Sequence, residues 1–308
     1  LGAGIGLAAA LAHLPGAVIV FGTPAEETVG GKCHMAAAGL FDGLDAALGS
    51  HPGTIEADIP TEPESGRSLA CIGFEVEFRG HSAHAAVDPE NGVNALNALI
   101  EVFNGINALR QHVTPDVRLH GVILDGGTAA NVVPDYARGA FMARANTEAA
   151  MWAVYKKVEA IVDGAALITG ATATVRRDPY AFADMLPNYA LARRVKAHAE
   201  ELGLWTAPPV PGKRGGSTDW DNVSYVAPAL EAAYPITPER ITWHSQAVVE
   251  AAVEQVRRTQ PGLVVPPATV EKLIAHETSR AFDRLTLHYN LFHAGGLDKR
   301  VEVYALGI

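Results

Sequence analysis

VIVFGTPAEETVGG, residues Val18–Gly31, decides how this chain is read. Its first four residues (Val18, Ile19, Val20, Phe21) are apolar and partly β-branched, which predicts a buried strand. Gly22-Thr23-Pro24 ends that strand, because Pro24 has no N–H to give to a ladder. Two adjacent carboxylates, Glu26 and Glu27, follow at once, and then Gly30-Gly31. In an open α/β sheet the crevice beyond the C-terminal ends of the strands is where ligands bind. Two carboxylates side by side repel unless a cation or a proton sits with them. The stretch therefore reads either as a cation-holding turn or as a solvated acidic one.

Composition narrows the classes. The chain has 308 residues, 48% of them hydrophobic, enough for a sizeable core and for two domains. A formal net charge of −10 argues against nucleic acid and against anionic membrane, which need clustered Lys and Arg. Cys33 and Cys71 are the only cysteines, too few for a disulfide framework, so a reducing, cytoplasmic setting is expected. Twelve histidines justify a search for metal-ligand spacing. The apolar start, LGAGIGLAAALAHLPGAVIVFG, lacks a positively charged leader and is cut by Pro15-Gly16. It predicts a helix near Gly4–His13 rather than a signal peptide or a membrane span.

Downstream, Lys32–Gly43 predicts a short helix ending at glycine. Asp42–Leu48 leads into a short apolar segment closed by Ser50-His51-Pro52-Gly53, so His51 stands at a second crevice position or on a surface turn. Ile55–Leu69 is rich in Pro and Glu and reads as a linker. From Ala70 the pattern is strand (Cys71–Gly80), helix (Gly92–Val113), strand (Val117–Leu124), strand (Val132–Ala145), helix (Glu148–Leu167), strand (Ala171–Arg177). That β-α-β-β-α-β order is the split-βαβ, ferredoxin-like unit, here inserted into a first domain that resumes near Pro179. A helix over Asn188–Leu202 follows, then the loop Gly215-Gly216-Ser217-Thr218-Asp219 and a helix or strand at Val223–Val226. His244 precedes a helix over Gln246–Val256, where capping is its plainest role.

Several runs in order resemble the zinc-dependent amidohydrolases of the aminoacylase and glutamate-carboxypeptidase type, and in particular the p-aminobenzoyl-glutamate hydrolase branch. They are GTPAEETVGGK (Gly22–Lys32), AGLFDGLDAAL with SHPG (Ala38–Gly53), GHSAHAAVDPENGVNA (Gly80–Ala95), GGTAANVVPD (Gly126–Asp135), GGSTDWDNVSYVAP (Gly215–Pro228) and TWHSQ (Thr242–Gln246). The resemblance implies an α/β zinc-peptidase-like catalytic domain (residues 1–69 and 179–308) carrying an inserted ferredoxin-like lid (70–178) through which the chain forms a homodimer. It implies Glu26 as general base, and Glu27, His51 and His244 as ligands to a divalent metal, zinc with manganese or cobalt as alternatives. His84 matches the lid histidine that approaches the site of the second copy. Asn131 and Arg144 match lid positions that bind the substrate's carbonyl or carboxylate, with a surface strand arginine as the plainer reading of Arg144. Ser217 and Thr218 match a substrate-lining loop.

These residue types suit amide hydrolysis. A metal-held water is acidic enough to ionise near neutrality, a carboxylate beside it can pass its proton to the leaving amine, and an imidazole can stabilise the oxyanion. The implied substrate is an N-acyl amino acid, a dipeptide or an aminobenzoyl-glutamate-like amide. Two departures stand out. The family's Cys-Gly-His-Asn/Asp run, which supplies two further ligands, is not in this sequence, so a chain truncated at its N-terminus is expected. The tail after Glu250 does not follow the family pattern. The alternatives are a catalytically impaired fragment or non-catalytic scaffold that keeps the lid interface, and a nucleotide-binding protein using Gly215–Asp219.

Overall fold

The computed structural model describes residues 2–13, 15–26, 29–53, 59–61, 67–204, 206, 216–237, 241, 245–259, 266–268, 270–271 and 303–304. In chain order the elements are α1 (Gly2–Ala10), β1 (Val20–Phe21), α2 (Gly31–Ala37), β2 (Ala47–Gly53), β3 (Ala70–Arg79), α3 (Ala95–Leu109), β4 (Arg118–Asp125), β5 (Tyr136–Ala145), α4 (Glu148–Thr169), β6 (Thr172–Arg177), α5 (Tyr189–Glu201), α6 (Trp220–Ser224), β7 (Ala229–Pro235), α7 (Gln246–Thr259) and β8 (Val303–Tyr304). They fall into two units, Leu1–Lys32 with Ile241–Ile308, and Cys33–Arg240.

In the first unit β1 is shorter and less buried than its composition predicts. Only Val20 and Phe21 are strand, and Ile19 is 38% exposed. Its ladder partner among the described residues is β8, in parallel register.

The second unit holds the lid. β3, β4, β5 and β6 form an antiparallel sheet in the order β4-β5-β3-β6, the ferredoxin-like arrangement expected from the element order. β5 alternates strictly between buried and half-buried residues, so one face of the sheet is core and the other is polar. The core face packs on α3 and α4, joining Ile72, Phe74, Val76 and Phe78 to Leu99, Val102, Met151 and Val158. Phe74 stacks on Phe141 (ring centroids 5.6 Å apart) and meets Tyr155 edge-on at 5.1 Å. Both helices begin on side-chain caps: Asn94 accepts the N–H of Asn97, and Thr147 accepts that of Ala150. α4 ends on Gly170 in the left-handed conformation.

Outside the lid, β2 and β7 pair in parallel and in register, with His51 beside Ala233. The strand runs on through Pro52 to Gly53, where the sequence reads a turn. Among the described residues β2 has no second ladder, so the N–H that Pro52 lacks is not missed. The expected linker is also more than a spacer. Ile59 is buried against Ala192 and Ala199 of α5 and Leu230 of β7, and Ser68 and Leu69 are buried as well. Residues 54–58 and 62–66 of that stretch lie outside the described residues. No helix among the described residues is long and apolar enough to cross a membrane.

Phe74→Ala should destabilise the lid by about 3–5 kcal/mol. The expected result is a lower denaturant midpoint with an unchanged slope; a midpoint at the wild-type value would mean that the stacked rings do not hold the layer together.

Candidate active site

The loop that carries Glu26 is shaped by unusual backbone. Ala25, the residue before it, has φ 63°, a left-handed conformation that costs a non-glycine residue about 1 kcal/mol or more. Gly30, also left-handed at φ 68°, returns its N–H to the Ala25 carbonyl at 3.0 Å. A Cβ on Gly31 would lie 2.0 Å from the Pro24 carbonyl oxygen, so only glycine lets the loop close there. The pair Gly30-Gly31 thus closes the loop against Ala25 and Pro24. Glu26 is half-buried. Glu27 and His244 lie outside the described residues.

The two candidate histidines of the second unit are set up differently. His51 on β2 is exposed, and its Nδ1 lies 2.7 Å from the Pro52 carbonyl oxygen. A carbonyl only accepts, so Nδ1 carries the proton and Nε2 of the neutral ring carries the lone pair. That is the usual arrangement of a metal-ligating imidazole. His84 is the reverse. Its Nδ1 accepts the N–H of Ala86 at 3.2 Å, so the neutral ring carries its proton on Nε2 and presents a donor. His84 forms a bridge with Val132, and Ala85 donates to the Asn131 carbonyl at 3.0 Å. The fold thereby places His84 beside Asn131, although 47 positions separate them in the sequence (131 − 84). Among the described residues no three His, Cys, Asp or Glu side chains gather around one point.

Arg144 and Ser217 are also brought together. Arg144 lies on the polar face of β5 and donates from Nη1 to Ser217 Oγ at 3.2 Å, while Nη2 rests 3.7 Å from Met142 Sδ. Its Nε is buried with no hydrogen-bond partner. Opposite Arg144 in the ladder stands Cys71. Burial pushes the Cys71 thiol up, and the Arg144 guanidinium and a hydrogen bond with Ser217 pull it part of the way back. Thr218 is committed elsewhere: its Oγ1 accepts the N–H of Trp220 in the first turn of α6.

Behind this loop lies an acid that sequence reasoning did not single out. Asp219 and Asp221 are fully buried. Asp221 accepts the hydroxyl of Ser68, the second residue before β3, and its other oxygen, Oδ1, has no hydrogen-bond partner. Burial, with weaker repulsion from Glu231, Asp184 and Asp219, pushes the Asp221 carboxyl up to about 8, against the opposing Ser68 hydrogen bond. Asp221 is therefore neutral near pH 7. No sequence signal marks it. A five-residue α6 with two buried acids at its start is also a poor cradle for phosphate, which disfavours the nucleotide reading.

Residues 70–169 match the peptidase dimerisation domain of the M20 type. The match runs from the start of β3 to the end of α4. An Xaa-Arg dipeptidase from Mus musculus is 33% identical over 259 residues, 82% of this chain and 58% of that protein. One of the two p-aminobenzoyl-glutamate hydrolase chains of Escherichia coli K12 is 37% identical over 177 residues, 57% of this chain and 36% of that protein. The crystal structure of an aminobenzoyl-glutamate utilization protein from Klebsiella pneumoniae matches with a TM-score of 0.52 at 26% identity, covering 73% of this chain and 56% of that one. The fold is mixed α/β and shared with that aminobenzoyl-glutamate utilization protein. This chain spans a little over half the length of the Xaa-Arg dipeptidase it matches.

The buried acid sets a pH dependence. Unfolded, Asp221 ionises near the ordinary carboxylate value; folded, it keeps its proton to about 8. Between those values the folded state binds more protons, so stability falls as pH rises, by at most about 1.4 kcal/mol per pH unit. Asp221→Asn keeps an acceptor for Ser68 and has no proton to lose. Melting curves at pH 5 and pH 8 should differ less in this variant than in the wild type. An unchanged difference would assign the slope to other groups.

Proposed function

We propose that this protein hydrolyses the amide bond of a small N-acyl amino acid, dipeptide or aminobenzoyl-glutamate-like substrate with the help of a divalent metal. The observation that carries this reading is the similarity, over 82% of the chain, to an Xaa-Arg dipeptidase, supported by the match to a p-aminobenzoyl-glutamate hydrolase. Glu27, His51 and His244 hold the ion, which is zinc in the first instance. The Nδ1–H of His51, held by the Pro52 carbonyl, leaves the ring in the tautomer such a ligand needs. When bound, the metal acidifies a water and polarises the amide carbonyl.

The chain's own residues do the rest. Glu26, in its strained turn, takes the water's proton and hands it to the leaving nitrogen. His84 offers its Nε2 proton to the oxyanion, and Asn131 stands beside it to bind the carbonyl. Arg144 takes the substrate's free carboxylate, and Ser217 steadies the guanidinium. Thr218 serves the site indirectly by holding the start of α6. In this reading residues 70–178 form a lid set between the catalytic segments 1–69 and 179–308, and two copies pair through it.

Glu26→Gln is the decisive variant. It should lower kcat by about 10²–10⁴-fold while metal content, measured by elemental analysis, stays at the wild-type ratio. His51→Ala should lose the metal as well. Near-normal turnover in Glu26→Gln would remove the general-base assignment, and an absence of bound metal in the wild-type protein would favour a non-catalytic scaffold.

A further inference from the structure

His120 lies on β4, an edge strand of the lid sheet. The ladder sets two adjacent rows across the polar face of the sheet. One row is Arg118, Arg144 and Cys71; the next is His120, Met142 and Gly73. The Arg144 side chain leans from the first row toward the second, since its Nη2 rests against Met142 Sδ. Met142 is the residue directly opposite His120. The guanidinium and the imidazole therefore occupy neighbouring places on one face. His120 is exposed, and its ring has no hydrogen-bond partner among the described residues.

The charge around this place is one-sided. Arg144 comes from β5, Arg110 from the turn after α3, and Arg118 from β4 itself. The Arg110 guanidinium is tied to the Leu119 carbonyl and that of Arg118 to the Pro115 and Val117 carbonyls. Asp116 accepts the N–H of Asn146, and Asp178 lies over Gly73 on the far side of β5. Arg144 forms no ion pair among the described residues. Partial burial, then Arg144 and Arg110, lower the basicity of His120, which favours the neutral ring with one N–H to give. An uncompensated, half-buried guanidinium beside a neutral donor is an arrangement that an anion completes.

We propose that His120 works with Arg144 as a specificity-determining residue, the two together gripping the free carboxylate of the acyl amino acid or dipeptide. Arg144 supplies the charged fork, and His120 gives a second, neutral hydrogen bond from the neighbouring strand. The inference rests on Arg144 being the carboxylate-binding residue. Once a carboxylate neutralises Arg144, the charge that disfavours protonated His120 is removed, and the ring becomes easier to protonate.

The test is a binding titration of the full chain with N-acetylglycine, followed by histidine NMR, with N-acetylglycinamide as the uncharged control. The titration midpoint of His120 should rise on saturation with the acid and stay put with the amide. His120→Phe should weaken N-acetylglycine binding about three- to ten-fold, the effect of one lost hydrogen bond. His120→Asn, which keeps a donor, should recover most of it. If His120→Phe binds as wild type and the midpoint does not move, while Arg144→Gln loses binding, the His120 assignment is overturned and the carboxylate site stands. If Arg144→Gln binds as wild type, the reading beneath the inference is itself overturned.

Discussion

Three backbone hydrogen bonds at the base of the lid hold Arg144 and the Ser217 loop in register. Leu69 donates to the Gly216 carbonyl at 2.9 Å, and Cys71 and Phe182 exchange a pair of bonds, each 2.9 Å. Leu69 and Cys71 are buried, where an unpaired N–H would be costly, so these bonds are strongly favoured. They fix the first residues of β3 against the loop that carries Ser217 and against the chain leaving the lid. Strand pairing does the rest. Arg144 is opposite Cys71, so a strand clamped at Cys71 delivers the Arg144 guanidinium to Ser217. Without that clamp Arg144 would be one more arginine on the polar face of a sheet.

Beside the same junction lies a neutral acid, made so by burial and against the pull of its hydrogen bond. Ser68 sits just before Leu69 and donates to Asp221. Burying an ionised carboxylate at Asp221 would be costly, and holding it protonated removes that cost. The proton placed there is one of several that the fold positions through neighbours rather than through residue type. A carbonyl at Pro52 and an N–H at Ala86 give His51 and His84 opposite tautomers. One ring becomes a lone-pair donor and the other a proton donor, the two roles that metal-assisted hydrolysis asks of imidazole.

Backbone strain is concentrated in the turn that presents Glu26. Ala25 in the left-handed region and Gly31 packed against the Pro24 carbonyl are local sacrifices there. Such backbone persists only where its surroundings hold it, here the Gly30-to-Ala25 hydrogen bond. In the lid, by contrast, the elements follow their propensities closely, with side-chain caps at both helix starts and an alternating β5.

By itself the sequence determined the order of the lid's elements and, through its motifs, the kinship with amidohydrolases. These are local properties, written in periods of two and 3.6 residues and in turn chemistry. It overestimated the strand at Val18–Phe21, read a turn where β2 runs on through Pro52, and read Ile55–Leu69 as a linker although Ile59, Ser68 and Leu69 are buried. In each case the neighbours available to the segment decided the matter, and pattern along the chain does not name neighbours. Only the tertiary structure decided that Arg144 meets Ser217, that His120 lies beside it, which nitrogen of His51 and of His84 holds the proton, and that Asp221 is neutral. Those outcomes depend on strand register and on the dielectric around each group, and both arise from contacts between residues far apart in the sequence.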